Sequence, residues 1–446
     1  MIRVLRINAR RSAAPLTLLL LLVAGLICMF VSPGMWAEGW LYLGTAQRTY
    51  LILLWPLALA LGAWQMRQEH RAQVDELLHT VARPRWQRLA VTAAVQALAV
   101  TVAYLVAFAA AAAWIADTAT YLPGSVPAMV ANGVLSLVAA VWIGMGVGYL
   151  LPFLVTAPAL AVVGFGVQIS LSVVFRGSEW LGNLLSPYMS RPWDPYYTLP
   201  AGFNGGQAIW LAGLAVAGLV LVAAATRRSR LTAIAPLVLG VGLAVAIAPR
   251  QDTDSTPWVR DLVGAQMVCA DGTPRVCVTK VRTAQLPKMT PLAREALAKV
   301  AELPGAPTSA MEDWTLSYGD GRDAPGVSPD PNSLEFLVEA GGEIRPRAGE
   351  DFVPRTLRDF LARSCPDTTQ KQYDEDQAAA EAGGYWLAGR PTDPAQVLSE
   401  PNRVRQLWDG LQALPRKQAL QRIAAVRAAR EQCGTSLTDI LTGRSK

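Results

Sequence analysis

Apolar and polar positions in this chain fall into long blocks rather than alternating singly. Seven apolar runs, near 16–32, 49–65, 89–115, 129–151, 155–175, 207–226 and 231–248, are long enough or nearly so to cross a hydrocarbon layer. A layer of about 30 Å takes about 20 helical residues. A charged island at 69–88, EHRAQVDELLHTVARPRWQR, separates the second run from the third. Within it Val74, Leu77, Leu78 and Val81 recur at i, i+3, i+4 and i+7, which is one face of an amphipathic helix. Asp75, Glu76 and several arginines take the other face, and Pro84 ends the run. A solvated loop helix needs no apolar stripe beside paired acids; a surface helix that docks a partner uses both.

After residue 250 the runs shorten, and the pattern becomes that of a water-soluble α+β domain. The fold class predicted is therefore a polytopic α-helical membrane protein with a C-terminal α+β extracytoplasmic domain. Its parts are a basic segment 1–15, a six-span unit 16–226, a seventh span with a basic flank 227–249, and the domain 250–446. MIRVLRINARR and the apolar run after it lack an A-x-A-like cleavage site, so the run reads as a retained span. Composition agrees. The 446 residues are 52% hydrophobic and 17% charged, against about 25% charged in a soluble chain. Residues 1–250 hold 16 Lys+Arg and 7 Asp+Glu, whereas 251–446 hold 24 and 27. The positive charge thus flanks spans and marks no nucleic-acid surface.

With the N-terminus inside, the inner segments hold Arg3, Arg6, Arg10, Arg11, Arg67, Arg71, Arg83, Arg85, Arg88, Arg227, Arg228 and Arg230. The outer short loops hold Arg48, Arg176 and Arg191. This bias predicts a cytoplasmic N-terminus and places 250–446 outside a bacterial plasma membrane. Cys269, Cys277, Cys365 and Cys433 all fall in that domain. An even number there reads as two disulfides. Asp271-Gly272 forms a turn between Cys269 and Cys277, which makes those two a favoured pair and leaves Cys365 with Cys433. Zinc is the rival, but the domain has no histidine and no C-x-x-C. Cys28 lies in the first span and reads as packing.

The chain has only His70 and His79, without metal-site spacing, and no Gly-Lys dipeptide, hence no phosphate-binding P-loop. It is expected not to be an enzyme and to hold no cofactor of its own. Acids at Glu312, Asp313, Asp374, Glu375 and Asp376 read as solvated surface. At depth in the spans, Gln96, Asn132, Gln168, Ser170 and Ser172 are the polar candidates for a transport route, although such residues also serve as helix glue. Gly144, Gly146, Gly148, Gly164 and Gly166 would let helices approach closely. In the domain, Thr290-Pro291 is expected to start a helix, with others near 354–364, 374–382, 394–413 and 415–432, the last stopped by Gly434.

The run Arg71, Asp75 to Leu78, Thr80, Arg83 to Trp86 and Arg88 resembles the cytoplasmic coupling segment, here 67–88, of actinobacterial type-2 ATP-binding-cassette (ABC) permeases. Residues 144–165 resemble their fourth-to-fifth span junction, and 176–206 their outer re-entrant helices. The resemblance covers about residues 1–226. It implies a permease subunit of an exporter or of a complex handling lipid or another hydrophobic cargo. A separate cytoplasmic ATPase subunit, carrying ATP and Mg, would dock on Val74, Asp75, Glu76, Leu77, Leu78 and Val81. It also implies a homodimer or heterodimer of permeases. The alternative is a membrane-anchored interaction or signalling protein whose outer domain binds an extracytoplasmic protein. The arginine bias makes a topology prediction: a cysteine placed at Ser229 should be protected from impermeant thiol reagents in intact cells. Labelling of that position from outside would overturn the orientation.

Overall fold

A computed structural model describes residues 12–71, 85–176, 178–192, 194–224, 227–249, 256–313, 332–338, 346–362, 369–394, 397–429 and 435–444. The chain divides into two compact units, Met1–Leu262 and Val263–Lys446. The first is helical: α1 Ala14–Val31, α2 Trp40–Thr49, α3 Leu51–Arg71, α4 Arg85–Ile115, α5 Ser125–Leu150, α6 Thr156–Val174, α7 Glu179–Leu185, α8 Ala201–Ala223, α9 Arg227–Leu231 and α10 Ile234–Ile247. Each of the seven apolar runs contains a helix. Among the described residues five stretches are long and apolar enough to cross a membrane: Ala14–Val31, Leu89–Ile115, Ser125–Leu150, Ala201–Ala223 and Arg228–Ile247. The pair α2 and α3, bent by 47° at Tyr50, makes a sixth if counted as one span, and Thr156–Leu171 is a shorter apolar helix.

The second span differs from its predicted 49–65. Helix α3 continues to Arg71, and α2 precedes it at an angle. The connector 176–200 lies in the segment expected to form outer re-entrant helices. Among the described residues it holds one helix, α7, then irregular chain and the strand β1 Tyr197–Thr198. This strand pairs antiparallel with β2 Val259–Arg260. Tyr121 donates to Asp261 Oδ2 at 2.7 Å, and burial, with that bond, holds its phenol above the ordinary range. These ties keep residues 258–261 with the helical unit, so the boundary falls at Leu262 rather than at 250.

Helix α5 is the centre of this unit. Of its apolar window 61% is buried, against 28% for α1 and 17% for the Arg228–Ile247 stretch. Glycine makes that possible, because small residues let backbones approach where no hydrophobic effect drives helices together. Gly144 faces the Leu59 carbonyl and Gly62 the Val141 carbonyl, joining α5 to α3. On another side of α5, a Cβ on Gly218 would lie 2.6 Å from Ile143 N. Gly164 packs on Leu59 and Pro56, as expected, whereas Gly166 faces nothing within 4 Å.

The second unit is built on a four-stranded sheet, β3 Met267–Cys269, β4 Arg275–Thr279, β5 Ser309–Glu312 and β6 Ser333–Phe336, in that spatial order. The β3–β4 pair is antiparallel and the rest parallel. Cys269 and Cys277 stand opposite each other and are joined as a disulfide, with Gly272 at positive φ in the turn. Cys365 and Cys433 lie outside the described residues. Helix α11 Leu286–Val300 crosses between β4 and β5. It begins before Thr290-Pro291, because Pro287 takes the first-turn position that tolerates proline.

Helices α12 Pro346–Leu361, α13 Gln370–Ala388, α14 Pro401–Gln412, α15 Arg416–Ala428 and α16 Leu437–Thr442 complete the unit. The helix expected at 374–382 runs through Gly383 and Gly384 instead of stopping. A Cβ on Gly384 would sit 2.7 Å from Arg358 N and from Pro354 O, so this glycine is a contact with α12. The helix ends at Gly389, whose φ is 69°. Two acids expected at the surface are buried. Glu312 pairs with Arg282 at 3.0 Å and accepts from Thr279 N and Oγ1. Asp376 accepts from Leu437 N at 2.8 Å. Each binds backbone that the sheet or a helix start leaves unpaired.

The glycine contacts predict a contrast. Gly144→Ala should lower the thermal midpoint of the detergent-solubilised protein, since its obstacle is backbone and overpacking costs about 1–3 kcal/mol even against side chains. Gly166→Ala should hold or raise it, as helix propensity favours alanine by about 1 kcal/mol. Equal midpoints for the two variants would contradict the packing.

Candidate functional site around Arg48

Helix α2, WLYLGTAQRT, is buried from Leu41 to Arg48. Arg48 itself is 0% exposed, although its charge places it in an outer loop by sequence. An arginine buried in an apolar bundle needs acceptors for its fork of five donors. Pro187 O accepts from Nε at 3.0 Å and from Nη2 at 2.8 Å. Nη1 donates to Gln207 Oε1 at 3.1 Å and to Met129 O at 3.4 Å. Among the described residues no carboxylate bonds to it; the charge rests on oxygens of α5, α8 and the connector.

The same neighbourhood collects the other carbonyls that α7 and the chain after it leave open. A helix end has four carbonyls without an intrahelical partner. Gln207 Nε2 donates to Asn183 O at 2.8 Å and Ser186 O at 3.3 Å. Trp210 Nε1 donates to Leu185 O, and Thr49 Oγ1 to Met189 O, each at 2.8 Å. Because Gln207 Nε2 faces carbonyls, its Oε1 must face Arg48. Asn132 Nδ2 reaches that Oε1 at 3.3 Å and Asn204 O at 3.0 Å. Arg48, Thr49, Gln207 and Trp210 thus form a polar clamp on 183–189, with Asn132 bracing Gln207. It offers hydrogen-bond donors and a buried positive charge.

Of the sequence-proposed route residues, only Asn132 belongs to this cluster. Gln96 is buried on α4 and donates to Gln65 Oε1 at 3.0 Å, which also accepts from Ala13 N at 2.6 Å. Gln168 is buried on α6 and donates to Leu51 O at 3.2 Å. Ser170 is exposed on that helix. The side chain of Ser172 is not described. Gln96, Asn132 and Gln168 therefore each bridge a different helix pair. The docking set Val74, Asp75, Glu76, Leu77, Leu78 and Val81 lies outside the described residues. Sequence reasoning missed Arg48, Thr49, Gln65 and Gln207. The signal for Arg48 was the run WLYLGTAQRTYLILLW, which has one glycine and neither a proline nor an acid to mark a loop.

No protein family, curated protein or solved structure matches this chain. The chain is mostly helical, with five candidate membrane-span helices among the described residues and a small sheet region, as fits a polytopic helical membrane protein.

Arg48→Met should still insert, since the variant removes a buried charge. It should leave Pro187 O without its donors, and an unmade buried bond costs about 1–3 kcal/mol. Amide exchange at Ser186, Tyr188 and Met189 should therefore rise by roughly 5- to 150-fold. Unchanged exchange there would show that the clamp does not hold the connector.

Proposed function

We propose that this chain is the permease subunit of an ABC exporter or lipid-handling complex, driven by a separate cytoplasmic ATPase that docks on 69–88. The observation that carries the proposal is the amphipathic DELL run strung between two helices of the bundle. Helix α3 stays helical through Arg71 and α4 starts at Arg85, so in sequence the run falls between the two helices. The absence of a P-loop in the chain means that the motor is a second polypeptide. Backbone-close packing of α3 on α5 favours a cargo path at the contact of two permease copies over one through a single unit. The apolar faces of α6 and α10, with Val162 73% and Val238 64% exposed, suit lipid and a hydrophobic cargo. The second reading, an anchored interaction module, draws on the separate core of Val263–Lys446.

The test is co-purification from native membranes. The wild-type chain should carry an ATP-hydrolysing polypeptide that a photo-crosslinker at Leu78 captures. Asp75→Lys with Glu76→Lys should still insert, but should bind that polypeptide at least about 30-fold more weakly, the lower end of a lost charge-pair partner at about 2–5 kcal/mol. If the doubly reversed chain retains the ATPase at normal yield, the docking role is lost. If neither chain carries one, the interaction-module reading takes its place.

A further inference from the structure

Beside the bend at Tyr50 the bundle contains a small cavity, lined by α1, α2, α3, α4 and α5. Most of its wall is apolar, with Leu21, Met29 and Leu54 among the lining side chains. Gln47, Tyr50 and Tyr104 supply the polar part. Gln47 is 2% and Tyr104 3% exposed. Gln47 Nε2 donates to Tyr104 O at 2.8 Å. That carbonyl can only accept, so the amide orientation is fixed and Gln47 Oε1 is the atom left over. Gln47 Oε1, Tyr50 OH and Tyr104 OH are all buried without a protein partner. Buried polar groups are rarely left unmet, and all three belong to residues that line this one cavity, which calls for a guest.

The guest's chemistry follows from the three atoms. Gln47 Oε1 accepts only, so the guest must donate a hydrogen bond. A tyrosine hydroxyl offers its own proton best to an acceptor, so the guest must accept as well. A halide fails the first condition and an ammonium the second. The free space amounts to about 10 Å³, at the lower limit of the roughly 10–15 Å³ that one water needs. That excludes a lipid headgroup or a sugar.

We infer that this cavity is a binding site for one ordered water, which donates to Gln47 Oε1 and accepts from a tyrosine hydroxyl. The water then links α2 to the Tyr50 bend or to α4, and is neutral where the arginine clamp is charged.

The experiment uses the full chain in lipid nanodiscs, imaged at a resolution that shows ordered waters, and a parallel crystal or frozen sample under xenon pressure. A rounded peak within about 2.7–3.2 Å of Gln47 Oε1 is expected, with no xenon in the native cavity. Xenon enters dry apolar cavities and is a direct probe of that state. Tyr50→Phe with Tyr104→Phe should lose the water peak and admit xenon. Xenon in the native cavity, an empty cavity, or elongated density continuous with a lipid or detergent chain would each overturn the inference. The native sample decides alone if the double variant fails to fold.

Discussion

Backbone polar groups have no water to turn to inside a hydrocarbon layer, and that constraint shapes the helical unit. Helices satisfy it internally; irregular chain satisfies it only when buried against donors. The connector 183–189 is irregular, and its carbonyls meet Arg48, Thr49, Gln207 and Trp210. A guanidinium suits this task because two of its donors converge on one oxygen, Pro187 O. The 47° bend between α2 and α3 puts Arg48 and Thr49 on the connector while α3 continues along the bundle. A straight span would carry those two side chains elsewhere and leave carbonyls unpaired.

Around that clamp the packing is made by backbone proximity more than by bulky side chains. Helix α5 touches α3 through Gly62 and Gly144 and touches α8 through Gly218. Such contacts are rigid, since no side chain can yield when a neighbour grows. The polar side chains at depth then act pairwise between helices. Gln65 with Gln96, Gln168 with Leu51 O, and Asn132 with Asn204 O each tie a different pair. The cavity lined by Gln47, Tyr50 and Tyr104 is one place where this pairing leaves atoms over; Gln96 Oε1, Gln168 Oε1 and Asn204 Oδ1 are left over elsewhere.

The Val263–Lys446 unit uses acids in a comparable way, as acceptors for backbone N–H groups. Glu381 accepts from Leu398 N at 2.9 Å and Ser399 N at 3.0 Å, just ahead of α14. Glu312 combines that role with a buried pair to Arg282. Removing one partner of such a pair costs about 3–5 kcal/mol, because the other charge stays buried. The disulfide closes the β3–β4 hairpin at the sheet edge. Val276, Leu297, Phe336, Val353 and Ile423 fill a core that this unit builds from its own residues.

By itself the sequence determined the apolar runs, because lipid solubility is additive along a helix and needs no partner to be read. It also determined the opposed cysteines of the hairpin, through the Asp271-Gly272 turn and two β-prone arms. It did not determine the fate of Arg48. A charge rule evaluates a residue against lipid or water, whereas Arg48 meets neither; it meets oxygens drawn from positions 129, 187 and 207. Nor did it determine which glycines pack. Gly164 and Gly166 look alike in the chain, yet one faces Leu59 and the other open space. Gly383 and Gly384 look like a helix stop until α12 lies against them. In each case the deciding neighbour is distant in sequence, so only the tertiary structure could supply it.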